Sequence, residues 1–287
     1  MNASQEKASY EKFWRIALER SSYAKQKKSL IPLETKIIKT YVHDDYYFEL
    51  RCIISKISIN TLKETPTPNP FLPWNKDLEI ARIGNGHTLI LNKYPVQIGH
   101  MLLITNSWAP QNGWLTMDDM TALKIVDQDT SGLWFFNSCP IAGASQPHRH
   151  LQLLRRKAND QLCPRSNWFD RLLNNNSSLN TNTLLSSYAL YRTTSDDAFS
   201  LHQSYLKACE MLGIGTPYID KAPKKPYNLL ISRNWICVIK RSKEGMHGFS
   251  INGLGFAGYL LATKNSNIKF LDEFGPENLL DNIVDPT

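Results

Sequence analysis

Residues 79–95, EIARIGNGHTLILNKYP, hold two short apolar runs broken by Gly84-Asn85-Gly86, and this is the local pattern that most narrows the fold. Glycine and asparagine supply the positive-φ backbone that a tight reversal needs, so the segment predicts two antiparallel strands joined by a hairpin. The same grammar recurs along the chain. Val96–Gly99 turns into HMLLIT at 100–105, LWFFN (133–137) and HLQLL (150–154) read as buried strands, and YNLLIS and WICVIKRS form a third hairpin through Arg233-Asn234. YYFELRCII at 46–54 also has strand composition. Helical signals are fewer. The N-terminal segment is amphipathic, with Tyr10, Phe13, Trp14, Ala17 and Leu18 on one side; 116–128 suits a helix capped by Thr116; and 196–212 reads as a helix ending at Gly213. The expected class is α+β, a mainly antiparallel sheet with flanking helices packed to one side.

Two stretches read as connections. The four prolines of KETPTPNPFLPW at 63–74 exclude helix and central strand, which leaves a rigid, extended connector. The Asn/Ser-rich 174–187 reads as a surface loop between two parts: a catalytic part, 1–173, and a C-terminal part, 188–287, that completes the site. The third hairpin and the GFAGYLL segment faintly echo the HTLILNKYP hairpin and the small-residue loop before His148, an echo that a degenerate internal duplication would explain.

Composition removes several function classes. At 42% hydrophobic residues with 12 Tyr, 11 Phe and 7 Trp, the chain is globular and not disordered. No apolar run approaches the roughly 18 residues of a membrane helix, and the charged N-terminus is unlike a signal peptide. The 5 cysteines are odd in number and never spaced CxxC, which argues against a disulfide framework or a Cys-rich zinc site and suits a reducing cytoplasm. The net charge of +7 fits a polyanionic partner, either nucleic acid or a small polyphosphate. No basic stretch interleaved with aromatics supports nucleic acid.

The segment that carries chemistry is FNSCPIAGASQPHRHLQLLRR, 136–156. Small residues in the loop let backbone approach a ligand, and successive exposed amides would form an anion nest for phosphate oxygens. Pro147 ends the loop and a strand begins. Side chains alternate along a strand, so His148, His150 and Gln152 point one way while Leu151 and Leu153 enter the core. An imidazole so placed can attack phosphorus through one nitrogen while the other donates to a backbone carbonyl. Two histidines at i, i+2 are also compatible with a hydrogen-bonded structural pair. A metal site needs three or four ligands, and no cysteine or carboxylate lies nearby to complete one.

GASQPHRHLQ (143–152) resembles the HxHxQ signature of the histidine-triad superfamily branch that contains ATP adenylyltransferases, or diadenosine tetraphosphate phosphorylases. Further segments resemble that family in order: NPF at 69–71, LNKYPVQIGHMLLIT at 91–105, Gln111, FNS at 136–138, YNLLISRNWICVIKRS at 227–242 and SINGLGFAGYLL at 250–261. The resemblance covers about 65–155 and 225–263. It implies His150 as the nucleophile that forms an AMP-histidine intermediate, with His148 and Gln152 supporting the α-phosphate and leaving group. It further implies Gly143, Ala144, Ser145 and Gln146 as the polyphosphate loop, Asn137 as an anchor for phosphate or ribose, and Asn92 and Lys93 near the phosphates. Asn252, Gly253 and Leu254 would close the nucleotide site from the C-terminal part, and Lys56 would add a phosphate-binding lysine. Two departures stand out: Cys139 where the family has glycine, and Tyr259 and Thr263 where it has Met and Lys, with Lys264 one place on.

Hydrolases of the superfamily carry a third histidine where Gln152 stands. An amide cannot shuttle protons, so an adenylyl-enzyme should survive until phosphate arrives, giving ping-pong phosphorolysis of diadenosine tetraphosphate to ATP and ADP. A divalent cation such as magnesium would accompany the polyphosphate, with no protein metal site and no tightly bound cofactor. Transfer to or from another nucleotidyl substrate such as adenylyl sulfate, and a slowly turning nucleotide sensor, are the competing readings.

Overall fold

The computed structural model describes residues 11–54, 69–157, 160–174, 186–193 and 197–285. Its centre is an eight-stranded sheet in the order β3-β4-β5-β7-β6-β9-β10-β8, with every neighbouring pair antiparallel. These strands are β3 (Glu79–Ile83), β4 (His87–Leu91), β5 (Met101–Thr105), β6 (Gly132–Asn137), β7 (His150–Arg155), β8 (Tyr188–Arg192), β9 (Tyr227–Ile231) and β10 (Trp235–Lys240). The β3–β4 hairpin pairs Ile83 with His87, so its loop is Gly84-Asn85-Gly86 as the sequence indicates, with Gly84 at φ 55. The pairing of β6 with β9 joins strands from the N-terminal and C-terminal parts in one sheet.

Both faces of this sheet are covered, which is why its strands read as nearly unbroken apolar runs. Trp134, Phe136, Leu151, Leu153, Leu229 and Ile231 enter one core, shared with α1 (Lys12–Gln26), α2 (Met117–Asp129) and α4 (Ala198–Met211). Leu133, Phe135, Leu154 and Leu230 alternate to the other core. That second core is closed by α3 (Ser166–Asn174), α5 (Gly253–Phe256), α6 (Ile268–Asp281) and a three-stranded sheet. In the small sheet β2 (Tyr47–Ile53) pairs antiparallel with β1 (Thr35–Val42) and parallel with β13 (Tyr259–Ala262). A further two-residue pair, β11 (Gly245–Met246) and β12 (Phe249–Ser250), shapes the turn before α5. Helices therefore lie on both faces, not on one side as expected, because β6, β7, β9 and β10 are apolar on both of theirs.

Local chemistry sets the element ends. Thr116 caps α2 in a reciprocal box with Asp119: the Asp119 amide donates to Thr116 Oγ1 (3.3 Å) and the Thr116 amide to Asp119 Oδ2 (2.7 Å). The amides of Lys12 and Phe13 at the start of α1 donate to the Asp129 carboxylate at 3.0 and 2.9 Å, so one helix end caps the other. Ala17 and Ala24 are buried on α1 while Leu18 is 39% exposed, so the buried stripe is narrower than expected; Tyr10 lies outside the described residues. The segments that echo each other end in different places, the first feeding β7 of the large sheet and the second β13 of the small one.

Candidate active site

His150 opens β7, opposite Ile104, and Gln152 follows two places on, opposite Leu102 and Phe135. The two side chains share the face that carries Leu154 into the second core, as strand alternation requires. This face is enclosed: His150 is 3% exposed and His148 is fully buried. His148 lies just before β7, bridged to Pro110.

The His150 ring is fixed by a bond with only one sense. Nδ1 lies 2.8 Å from the carbonyl oxygen of His148, and a carbonyl only accepts, so Nδ1 carries the proton and Nε2 the lone pair. Burial pushes its pKa down to about 4, opposed by that hydrogen bond, and so the imidazole is neutral at physiological pH. The ring of His148 is held in turn. The Phe71 amide donates to Asn69 Oδ1 (3.0 Å), which turns Asn69 Nδ2 toward His148 Nδ1 (2.9 Å); His148 Nε2–H then donates to Thr105, with the carbonyl oxygen at 3.0 Å and Oγ1 at 2.8 Å. Phe71 and Trp108 meet the His148 ring edge-on, and Phe71 also lies against His150, with ring centroids 5.3 Å apart.

Gln111 stitches the strand to the loop. Its Oε1 accepts from the His150 amide (2.8 Å), and its Nε2 donates to the Asn137 carbonyl (2.7 Å) and less closely to that of His150 (3.3 Å). Gln111 also lines a cleft of about 230 Å³ with Ser138, Cys139, Ala144, Ser145 and Gln146. A second cleft of about 510 Å³ lies past the other end of β7, bordered by Leu154, Arg156, Gln97, Leu254 and Tyr259. His150 lines neither cleft; along the strand it stands between the small-residue loop and the larger of the two.

The loop itself differs from the expected nest. The amides of Ala142 and Ala144 donate to the Cys139 carbonyl, and that of Gly143 to the Pro140 carbonyl. These bonds close a short turn in which Gly143 takes φ 86, so three successive amides face inward and are unavailable to a ligand. Ser145 and Gln146 lie beyond the turn and border the cleft. Asn137, expected as an anchor for phosphate or ribose, engages its side-chain oxygen within the fold. Its side-chain oxygen accepts from Asn228 Nδ2 (2.8 Å) and from the Gly253 amide (2.9 Å), so it joins the loop to the C-terminal part.

A buried arginine holds that junction. Arg241 Nη1 donates to Asn228 Oδ1 (2.6 Å) and the Ile251 carbonyl (2.9 Å), while Nη2 takes the carbonyls of Lys243 and Glu244. Burial lowers its pKa to about 10, which still leaves it charged. Asn252 caps α5 through its own Oδ1, bonded to the Leu254 amide. A Cβ on Gly143 would fall 2.6 Å from Asn252 Cβ, so only glycine permits this approach. Loop residue Gly143 and Asn252 are thus brought together.

Asn92 joins the site through His100, whereas Lys93 holds its ammonium 5.3 Å from the ring centre of its neighbour Tyr94, with no hydrogen bond to the site histidines among the described residues. Lys56 lies outside the described residues. Arg149 points to the opposite face, paired with Asp119 at 3.0 Å. Sequence reasoning missed His100, Asn69, Thr105, Asn228 and Arg241 as site residues. Asn-x-aromatic occurs at 69–71 and 92–94, but also at 106–108, 112–114 and 167–169, so the pattern alone does not single out these residues. No three His, Cys, Asp or Glu side chains converge as a metal site among the described residues.

His150 and Gln152 stand two places apart on an antiparallel strand, near a small-residue loop that Asn252 and Gly253 of the C-terminal part approach, and together they form the candidate site. Residues 3–165 match the model of the Ap4A phosphorylase N-terminal domain and 163–286 that of the ATP adenylyltransferase C-terminal domain, and the chain belongs to this Ap4A phosphorylase family. It is similar to Protein APA1 of Saccharomyces cerevisiae, 30% identical over 202 residues covering 63% of each chain, so the match spans just under two thirds of that relative's length. It is also similar to diadenosine 5',5'''-P1,P4-tetraphosphate phosphorylase 2 of the same yeast, 27% identical over 248 residues and 76% of each chain. The fold matches crystal structures of yeast Ap4A phosphorylase Apa2. With AMP the TM-score is 0.72 at 22% identity, covering 96% of this chain and 97% of that one; with Ap4A it is 0.71 at 22% identity, covering 96% and 98%.

Proposed function

We propose that this chain is a dinucleoside-polyphosphate phosphorylase that converts diadenosine tetraphosphate and phosphate to ATP and ADP, reversibly, through an AMP group carried on His150. The observation that carries the reading is the orientation of His150: its proton is committed to a backbone carbonyl, which leaves the lone pair on Nε2, on the strand face that also carries Gln152 two residues on. In the first step Nε2 forms a bond to the α-phosphorus and the bond to the bridging oxygen breaks, releasing ATP with that oxygen. Nδ1–H stays on the ring and keeps donating to the His148 carbonyl, whose partial negative charge stabilises the positive charge that develops on the imidazole. In the second step an oxygen of inorganic phosphate attacks the same phosphorus and returns the electron pair to Nε2, giving ADP. Neither step needs a protein acid, because both leaving groups are stable without a proton.

His148 acts through its carbonyl and Gln152 as an amide next to the phosphoryl group. Ser145 and Gln146 border the polyphosphate path, and residues 252–254 close the nucleotide side. A divalent cation such as magnesium would accompany the polyphosphate and neutralise part of its charge. The partners in this reading are small nucleotides and phosphate. No helix of the described residues is long and apolar enough to cross a membrane, and the 5 cysteines are unpaired; we place the enzyme in the cytoplasm. The test is a product assay with a panel of dinucleoside polyphosphates, with and without phosphate. ATP and ADP formed only with phosphate supports the proposal, whereas release of AMP irrespective of phosphate overturns it.

A further inference from the structure

Hydrogen-bond direction can be traced into this site from a donor whose polarity is beyond doubt, the backbone amide of Tyr94. It donates to Asn92 Oδ1 at 3.0 Å. The Asn92 amide group is thereby oriented, and its Nδ2 faces His100 Nδ1 at 3.2 Å. An amide nitrogen only donates, so Nδ1 of His100 must accept and the ring proton must sit on Nε2. His100 Nε2 lies 3.1 Å from Gln152 Oε1, which accepts that proton's hydrogen bond. The last link follows without further choice. Gln152 spends its oxygen on His100 and is left with its NH2 group, which nothing accepts from among the described residues.

We propose that His100 is a positioning residue that fixes the Gln152 amide with its NH2, and not its oxygen, toward the phosphoryl group carried by His150. The inference rests on the phosphorylase reading and adds to it the reason that glutamine suppresses hydrolysis. An amide NH2 can hold a phosphoryl oxygen but offers no lone pair to an incoming water. A glutamine free to flip would present Oε1, which accepts from water and could aim it at the phosphorus–nitrogen bond. His100 suits the task because it is 5% exposed, neutral and packed at a tilt against Phe135 with ring centroids 5.8 Å apart, so neither its charge nor its ring plane changes easily. The same device recurs beside it. Asn69, oriented by the Phe71 amide, sets His148 to the Nε2–H form, so two Asn-x-aromatic turns assign the protons of two buried imidazoles.

The proposal is tested on the full chain in two ways. Nitrogen-15 NMR of the histidine rings should show His100 with its proton on Nε2 throughout pH 5–8; a proton on Nδ1 overturns the proposal whatever the enzyme does. The second arm loads the protein with AMP, removes free nucleotide and measures AMP released to water against ADP formed with phosphate. His100→Leu should raise the water share about fivefold, the worth of one neutral hydrogen bond. His100→Gln, whose amide can accept from Asn92 and donate to Gln152, should restore the partition. An unchanged partition in His100→Leu, or a shift that His100→Gln fails to reverse, overturns it. If the wild-type protein never loads AMP, the phosphorylase reading has failed instead, and the NMR arm alone still decides the amide orientation.

Discussion

Acidification acts directly on His150, because a protonated Nε2 has no lone pair for phosphorus. An imidazole in water titrates near 6.5 and would be about 90% protonated at pH 5.5. Burial pushes His150 down to about 4, so at pH 5.5 roughly 97% of it remains neutral. The rate of AMP transfer to the enzyme, read as a rapid-quench burst of released ATP, should stay within about 10% of its pH 7 value down to pH 5.5 and fall only near pH 4. Stability should fail over an overlapping window, and the sign follows from linkage. The folded pKa lies below the unfolded one, so the unfolded chain takes the proton first. The contribution is complete above pH 6.5 and is lost as pH drops toward 4, by up to about 3 kcal/mol for His150. His100, also pushed by burial to about 4, adds a loss in the same direction. Circular dichroism at each pH separates the two effects. A burst that halves near pH 6.5 while the protein remains folded would refute the burial argument.

Gly143→Ala places a Cβ 2.6 Å from Asn252 Cβ at a backbone φ of 86, so it should displace residues 252–254 and lower kcat/KM by about tenfold or more, measured by steady-state kinetics. Asn228→Leu removes the donor to Asn137 and Ala142 and the acceptor of Arg241, and should cost about 2–4 kcal/mol in urea denaturation. Gln152→His should raise AMP release by water relative to phosphorolysis in the product assay, and an unchanged ratio would count against the role given to the amide.

The sheet was legible because its chemistry is local. Gly84-Asn85-Gly86 fixes a hairpin wherever it occurs, and Thr116 before Asp119 caps a helix in any surroundings. His150 and Gln152 were legible for the same reason, since strand alternation alone puts them on one face. What stayed hidden depends on distant partners. His100 reads as the first residue of an apolar strand until pairing sets Leu102 across from Gln152. Arg241 reads as a surface charge in KRS until five carbonyl and amide oxygens from 228–283 surround it. The inward turn of the loop amides escaped notice because small residues permit a nest and a closed turn equally. Helices on both sheet faces were missed because a continuous apolar run shows burial without showing what covers each side.

The most direct measurement is intact-protein and peptide mass spectrometry after mixing the enzyme with diadenosine tetraphosphate in the absence of phosphate. The account requires an added AMP located on His150, discharged as ADP when phosphate is supplied and missing in His150→Ala. An AMP group found on another residue, or turnover that persists in a folded His150→Ala protein, would contradict it.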